Sequence, residues 1–404
     1  MEKAVVVDVV RSPIGRGKKG GSMSSLHAVE LLAQVIKGLL DRNDFDPAEV
    51  EDVLIGCVSQ AADQAGCPGR AAWLAAGGPE HVPAVTIDRR CGSSQQALQF
   101  GAQAIMAGTQ DIVIVGGLES MSRIPLGSAR MGVDPFGPSV ERRYAPGLIP
   151  QGISAELIAS RWNLNRHDMD SFSARSHQRA EFARANGLFE REIVPIDLGD
   201  DGGFFRQDET IRPSTTEDSL AGLGPSFASD EMKARYPEIN WSVTAGNASQ
   251  LADGASAALV MSESKAAALG LAPMALVHSF AVVGSDPVLM LTGPIPATQK
   301  ILQRSGFDLD QISHFEVNEA FASVPLAWTR EFGLPDDDPR LNPHGGAIAL
   351  GHPLGASGIR LLATMLHSLS RSGERYGMQV MCEGTGMANA TIIENLQTER
   401  LVAQ

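Results

Sequence analysis

Two stretches of this chain are close copies of each other. Asn43-Asp44-Phe45-Asp46-Pro47-Ala48-Glu49-Val50-Glu51-Asp52-Val53 resembles Ser305-Gly306-Phe307-Asp308-Leu309-Asp310-Gln311-Ile312-Ser313-His314-Phe315, and Phe45 to Phe307 is a step of 262 residues. Each copy reads as a helix, a Phe-Asp turn, a new helix start and a strand. A repeat of that size predicts a duplicated α/β unit rather than two unrelated domains. The same step carries Cys91 onto Pro353, the neighbour of His352. Each position opens the third helix of its half. The duplication therefore predicts two helix N-termini meeting near a pseudo-dyad, one bearing Cys91 and the other His352.

The periodicity fills in the halves. Residues 4–10 and 50–58 read as buried strands, and 27–40 as an amphipathic helix with Leu31, Leu32, Val35, Ile36 and Leu39 on one face. A short helix is expected over 70–76, a strand over 82–87, a helix over 91–106 and a strand over 112–115. Strands alternating with helices argue for a mostly parallel sheet covered by helices. From 122 to 247 the texture changes to scattered Pro, Gly, Arg and Met with two helices, 154–161 and 172–185, the second capped from Asn165. Residues 204–225 read as a polar loop. The expected division is an N-terminal half of 1–121 plus 248–273, an inserted loop domain of 122–247, and a C-terminal half of 274–404.

Four places in this frame could carry chemistry. Gly345 to Gly358 holds five glycines and His352, just ahead of the helical run 359–369. Glycines permit positive φ and close backbone approach, so the histidine is either presented or an incidental part of a tight turn. Cys91 follows Arg89 and Arg90 at a helix start, where the helix dipole and the guanidinium groups would lower a thiol's pKa. A buried structural cysteine is the alternative. Cys382 ends a strand before the tight Gly384-Thr385-Gly386 turn and could move a proton. Asn318-Glu319-Ala320-Phe321 follows a buried strand, at the carboxyl edge where α/β sheets bind ligands, and Asn318 could equally be a helix cap.

Composition narrows the partners. The 404 residues carry a formal charge of -14, which disfavours nucleic acid and anionic membranes. Four cysteines with no CxxC pair suggest a reducing compartment without disulfides or a zinc site. No run of 18 apolar residues and no basic leader precede the first strand, so a cytoplasmic protein without a membrane span is expected.

Taken together and in order, Cys91, Asn318-Glu319-Ala320-Phe321, Gly351-His352-Pro353 and Cys382-x-Gly384-x-Gly386 resemble the thiolase family. Gly246-Asn247-Ala248-Ser249 with Asp253-Gly254-Ala255 is similar to the family's segment contacting coenzyme A. The resemblance covers nearly the whole chain. It implies duplicated βαβαβ halves in an αβαβα layered arrangement, and a 3-ketoacyl-CoA thiolase, an acyltransferase of lipid and fatty-acid degradation. Coenzyme A would be a co-substrate, with no permanently bound cofactor and no metal. The assembly would be a homodimer or homotetramer.

By the same resemblance Cys91 would carry the acyl group as a thioester. His352 would activate Cys91 and, with a water held by Asn318, form an oxyanion hole. Cys382 would move the proton on and off the acetyl carbon. The N–H groups of Cys91 and Gly384 would form a second oxyanion hole. Arg212 and Ser249 would contact coenzyme A, and Phe227, Ala245, Ala320 and Phe321 would line the pantetheine tunnel. Ser94 and Gln151 depart from the family pattern, where glycine and methionine are common, and the segment 228–241 is longer than in short-chain relatives. Rival readings are an acetoacetyl-CoA thiolase running condensation, a condensing ketoacyl synthase, which would lack the Cys382 acid, and a thiolase-like protein that binds acyl-CoA without turning it over.

Overall fold

In a computed structural model of the chain, residues 2–199 and 202–397 are described. Nine strands form the frame: β1 Ala4–Arg11, β2 Asp52–Gly56, β3 Ala84–Ile87, β4 Ile112–Ser120, β5 Ala252–Ser262, β6 Ala275–Gly284, β7 His314–Val317, β8 Tyr376–Glu383 and β9 Met387–Asn395. Their order is β7-β8-β9-β6-β1-β5-β4-β2-β3, with the short piece Gly15–Arg16 pairing on β5. The order is close to symmetric about the β1–β6 contact, where Val5 meets Leu276 and Val6 meets Ala275. Strands β3-β2-β4-β5-β1 on one side answer β7-β8-β9-β6 on the other. A bridge from Phe315 to Leu341 stands where a fifth strand would complete the second half. The 262-residue repeat is thus a structural duplication.

The sheet is mixed, which corrects the expectation of a mostly parallel one. Only β2–β3, β2–β4 and β7–β8 are parallel; the pairings through the middle are antiparallel. Parallel neighbours need a crossover connection. Here β5 is reached from the long segment that leaves β4, and β8 turns straight back into β9 through Gly384-Thr385-Gly386. That turn has Thr385 at φ +70° and Gly386 at φ +77°.

Three apolar layers follow. On one outer face Leu31, Leu32, Ile36 and Leu39 of α1 (Ala28–Asp41) and Trp73 of α2 (Pro68–Ala75) pack on Val5, Ile114 and Leu259. In the centre α3 (Ser93–Met106) and the later helix Ser357–Ser372 put Leu98, Ile105, Ile359 and Leu362 between Val6, Val113 and Ala258 of one half and Val277 and Ile393 of the other. On the far face Ile301, Trp328 and Ile348 cover Phe315, Val380 and Ile392. Helices, sheet, helices, sheet, helices is the expected αβαβα arrangement. Each large side chain removed from water contributes about 1.5–3 kcal/mol, so the buried central helix pair is strongly fixed. That pair holds the site.

The segment between β4 and β5 contains α4 (Gln151–Arg161) and α5 (Arg166–Ala185). Asn165 caps α5 in a reciprocal capping box with Asp168. The helix runs without a break from Arg166, earlier than its apolar pattern alone suggested.

Candidate active site

The two central helices meet end to end. The backbone N–H of Ile359 donates to Ser94 Oγ at 3.1 Å. A Cβ on Gly358 would collide with the backbone of Gln95, and one on Gly56 with that of Ser94. Glycine is required at both places for the helix ends to come this close. The turn after His352 is clamped from below by Glu119, whose carboxylate accepts N–H bonds from Gly355 at 3.0 Å, Ser59 at 3.0 Å and Val58 at 3.1 Å. Gly355 itself lies against Leu118 O, where no side chain fits. These contacts explain the glycine density around His352, and the turn presents the imidazole.

The tautomer of His352 follows from its bonds. Ser357 Oγ donates to Pro353 O at 2.8 Å, so its lone pairs face His352 Nδ1 at 2.6 Å and accept its proton. Nε2 is left unprotonated, and it accepts only a long hydrogen bond of 3.4 Å from Asn318 Nδ2. Burial, helped by Arg360, pushes the imidazolium down to about 3. His352 is therefore a neutral base with Nε2 available. The Asn318 side chain also favours the charged form of the Cys382 sulfur, so one amide lies beside both the histidine and the second thiol. Burial first, then the charge of Cys91, pushes Cys382 well above an ordinary thiol. It is a thiol that gives up its proton only to a strong base such as a carbanion.

At Cys91 the outcome differs from expectation. The helix begins at Ser93 with Gly92 as its cap, and Cys91 is 4% exposed. Burial and the nearby Glu383 push the thiol up to about 12, although the N–H groups of Gly384 and of Cys91 itself stabilise the sulfur's charge. Neither arginine lowers it: Arg89 lies toward Glu383, and Arg90 lines the cavity. Cys91 rests as a neutral thiol, so its proton must leave as the bond forms. The two N–H groups facing the sulfur are also the pair expected to hold an oxyanion there.

Glu383 had no signal in the sequence. It is fully buried between Cys382 and Gly384, its carboxylate fills the space beside Gly92, and neither oxygen has a hydrogen-bond partner among the described residues. Burial raises it to about 8, against the opposing pull of Arg89. Its ionisation above about pH 8 places a negative charge near Cys91 and disfavours the thiolate. We therefore expect Glu383→Gln to be alkylated by iodoacetamide at Cys91 no faster than wild type at pH 7, and several-fold faster at pH 9. A rate ratio constant across that range would rule this coupling out.

A cavity of about 840 Å³ opens in front of these groups. Cys91, His352 and Gly384 stand at its inner end, and Phe227, Ser249, Ala320 and Phe321 on its walls, with Phe227 and Phe321 edge to face at 6.0 Å. Asn318 and Cys382 are buried behind that lining. Arg212 and Ala245 are exposed and do not line the cavity. Arg212 donates to Gln250 Oε1 at 3.0 Å, and Gln250 O accepts the N–H of His352 at 2.9 Å, so it reaches the site through Gln250. Gln250, Met290 and Ser357 are further site residues that the motifs did not mark.

A buried thiol and a neutral imidazole on opposed helix ends, with N–H groups on the sulfur and a second thiol behind, define a site for acyl transfer through a cysteine. Residues 4–264 match the thiolase N-terminal domain and residues 271–395 the thiolase C-terminal domain. The chain belongs to the thiolase family. It is 48% identical over 404 residues to a steroid 3-ketoacyl-CoA thiolase of Mycobacterium tuberculosis, covering 98% of this chain and 95% of that one. It is 44% identical over 401 residues to a 3-ketoacyl-CoA thiolase of Serratia proteamaculans, covering 98% and 100%. The crystal structure of Bacillus anthracis acetyl-CoA acetyltransferase matches with a TM-score of 0.86 at 34% identity, covering 98% of this chain and 99% of that one.

Proposed function

We propose that this protein cleaves 3-ketoacyl-CoA thioesters with coenzyme A in lipid degradation, giving acetyl-CoA and a shortened acyl-CoA by way of an acyl-Cys91 thioester. The observation that carries the reading is the neutral His352, with Nδ1 locked on Ser357 and Nε2 unprotonated, facing the same cavity as Cys91. His352 Nε2 takes the Cys91 proton as sulfur attacks the keto carbon. The N–H groups of Cys91 and Gly384 hold the oxyanion so formed. The bond between the α and β carbons breaks, and the electron pair goes to the acetyl-CoA enolate. The imidazolium and Asn318 stabilise that enolate's oxygen, and Cys382 gives its proton to the carbon. Acetyl-CoA leaves. A second coenzyme A gives its thiol proton to Cys382 and attacks the thioester, and the Cys91 thiolate so released takes its proton back from the His352 imidazolium. Ser249, Ala320, Phe321 and Phe227 would hold the pantetheine arm, and Arg212 would act from outside the cavity.

The acyl group is larger than acetoacetyl. Supporting this are the volume of the cavity and the similarity to an enzyme named for steroid 3-ketoacyl-CoA thiolysis. Gln151 and Leu148, from the inserted segment, face the same space. The test is loss of 3-ketoacyl-CoA absorbance on adding coenzyme A, across a chain-length and ring-bearing series. We expect kcat/KM for long or bulky substrates to exceed that for acetoacetyl-CoA by at least about tenfold, the scale on which apolar pocket contacts discriminate. A maximum at acetoacetyl-CoA would instead favour an acetyl-transferring thiolase, the activity named for the Bacillus anthracis relative. No turnover of any substrate would leave only an acyl-CoA-binding protein.

A further inference from the structure

One stretch of the cavity wall has little of its own to hold it. Residues 146–150 line the cavity without forming a helix or a strand. The Gly147 N–H donates to Tyr144 O at 2.7 Å, within the stretch's own turn. Among the described residues, one hydrogen bond ties residues 145–149 to a distant part of the chain: Arg235 Nη2 donates to Gly147 O at 2.8 Å. A guanidinium on a carbonyl makes a charge-assisted bond, stronger than one between neutral groups. The same guanidinium lies over the Tyr236 ring, 5.1 Å from its centre, which limits its swing.

Arg235 belongs to a loop built to pass that hold on. The Ser226 N–H donates to Val243 O at 2.9 Å and brings the two ends of residues 226–243 together. Compact loops with joined ends are packed by their own side chains. Ser229 caps the short helix Asp230–Arg235, which sets Arg235 in its last turn. Ile239 packs with Ile149 of the wall and Ile153 of α4, and Met232, Tyr236 and Trp241 close around them. At the exit, the N–H groups of Ser242 and Val243 donate to the Glu156 carboxylate of α4 at 2.9 and 2.8 Å. Phe227, at the base of the loop, is itself part of the cavity wall. One closed loop thus carries Phe227 and clasps residues 146–150, so two pieces of the wall share one support. We propose that the loop 226–243 braces the 146–150 wall against a bound acyl-CoA, with Arg235 as the positioning residue that fastens it. Arg235 does not line the cavity, and Cys91 and His352 are held by the central helix pair instead. Losing the clasp should therefore weaken capture of the long thioester and spare the chemistry at sulfur. This inference rests on the thiolase reading only in taking acyl-CoA as the occupant.

The test compares inactivation of Cys91 by bromoacetyl-CoA, which must seat along the wall, and by iodoacetamide, which need not. In Arg235→Met we expect the bromoacetyl-CoA concentration for half-maximal inactivation to rise about fivefold or more, with the limiting rate kept within about twofold, the pattern of lost uniform binding. The iodoacetamide rate should also stay within about twofold of wild type, since a small reagent makes no use of the wall. KM for 3-ketoacyl-CoA thiolysis should rise in parallel, with kcat little changed. Arg235→Lys keeps the charge and a donor and should recover part of the loss. Amide hydrogen exchange at residues 147–149 should quicken in Arg235→Met while the central helices keep their protection. An unchanged half-maximal concentration would overturn the proposal even where exchange quickens, because the clasp would then serve the fold alone. An iodoacetamide rate that falls as far as the bromoacetyl-CoA rate would overturn it too, by tracing the loss to Cys91. A wild type that turns over no 3-ketoacyl-CoA, with the split between the two reagents intact, would remove the thiolysis reading and leave the brace standing.

Discussion

Replacing Cys91 by alanine is expected to lower thiolysis by at least about 10⁴-fold, since removing the nucleophile of a covalent mechanism removes every step that depends on it. The fold should survive. Cys91 sits in a small apolar group with Leu361 and Met381, where an alanine keeps the Cβ and its apolar contacts. Covalent labelling by bromoacetyl-CoA should vanish in the same variant. Cys382 offers the necessary contrast, because it too is buried and near Cys91. In Cys382→Ala, Cys91 should still be labelled by bromoacetyl-CoA, while carbon–carbon cleavage fails for want of an acid. Labelling that persists in Cys91→Ala but disappears in Cys382→Ala would reverse the two roles and refute the assignment.

How much of this was legible beforehand depended on the kind of signal. The duplication was visible because a Phe-Asp turn leading into a strand is encoded locally, and Asn43–Val53 and Ser305–Phe315 both keep it. His352 could be weighed against Cys91 only through that repeat. Strand β5 was not marked by its pattern. Ala252-Asp253-Gly254-Ala255-Ser256-Ala257-Ala258 has small side chains and low β propensity, yet it is wholly buried at the heart of the sheet. Small residues suit a strand packed between helix layers, and that context is tertiary. The electrostatics at Cys91 were misread for the same reason. The sequence places two arginines beside the thiol, but only the fold puts Glu383 behind Gly92 and directs Arg90 into the cavity. Helix-end charge was a sound local argument, and burial outweighed it. The lock on His352 is a case of short-range geometry: Ser357, five residues on, reaches back across the turn to Nδ1.

His352→Ala tests that geometry most sharply, through pH rather than rate alone. In the wild type the imidazole titrates near 3, so it is unprotonated throughout the working range and kcat/KM should show no acid limb between about pH 5 and 7. Without the base, reaction must proceed from pre-formed thiolate. With the thiol near 12, that fraction is about one part in 10⁴ at pH 8. The variant should therefore lose about 10³-fold or more at pH 7. Its residual activity should climb close to tenfold per pH unit up to the limit of folding, with some flattening where Glu383 ionises near 8. Added imidazole should restore part of the loss at neutral pH. A structural defect would lower the rate evenly at all pH values and would not respond to imidazole. A flat profile in His352→Ala, or an acid limb near pH 6.5 in the wild type, would mean that Cys91 and His352 rest as an ion pair, with the thiolate formed before substrate arrives.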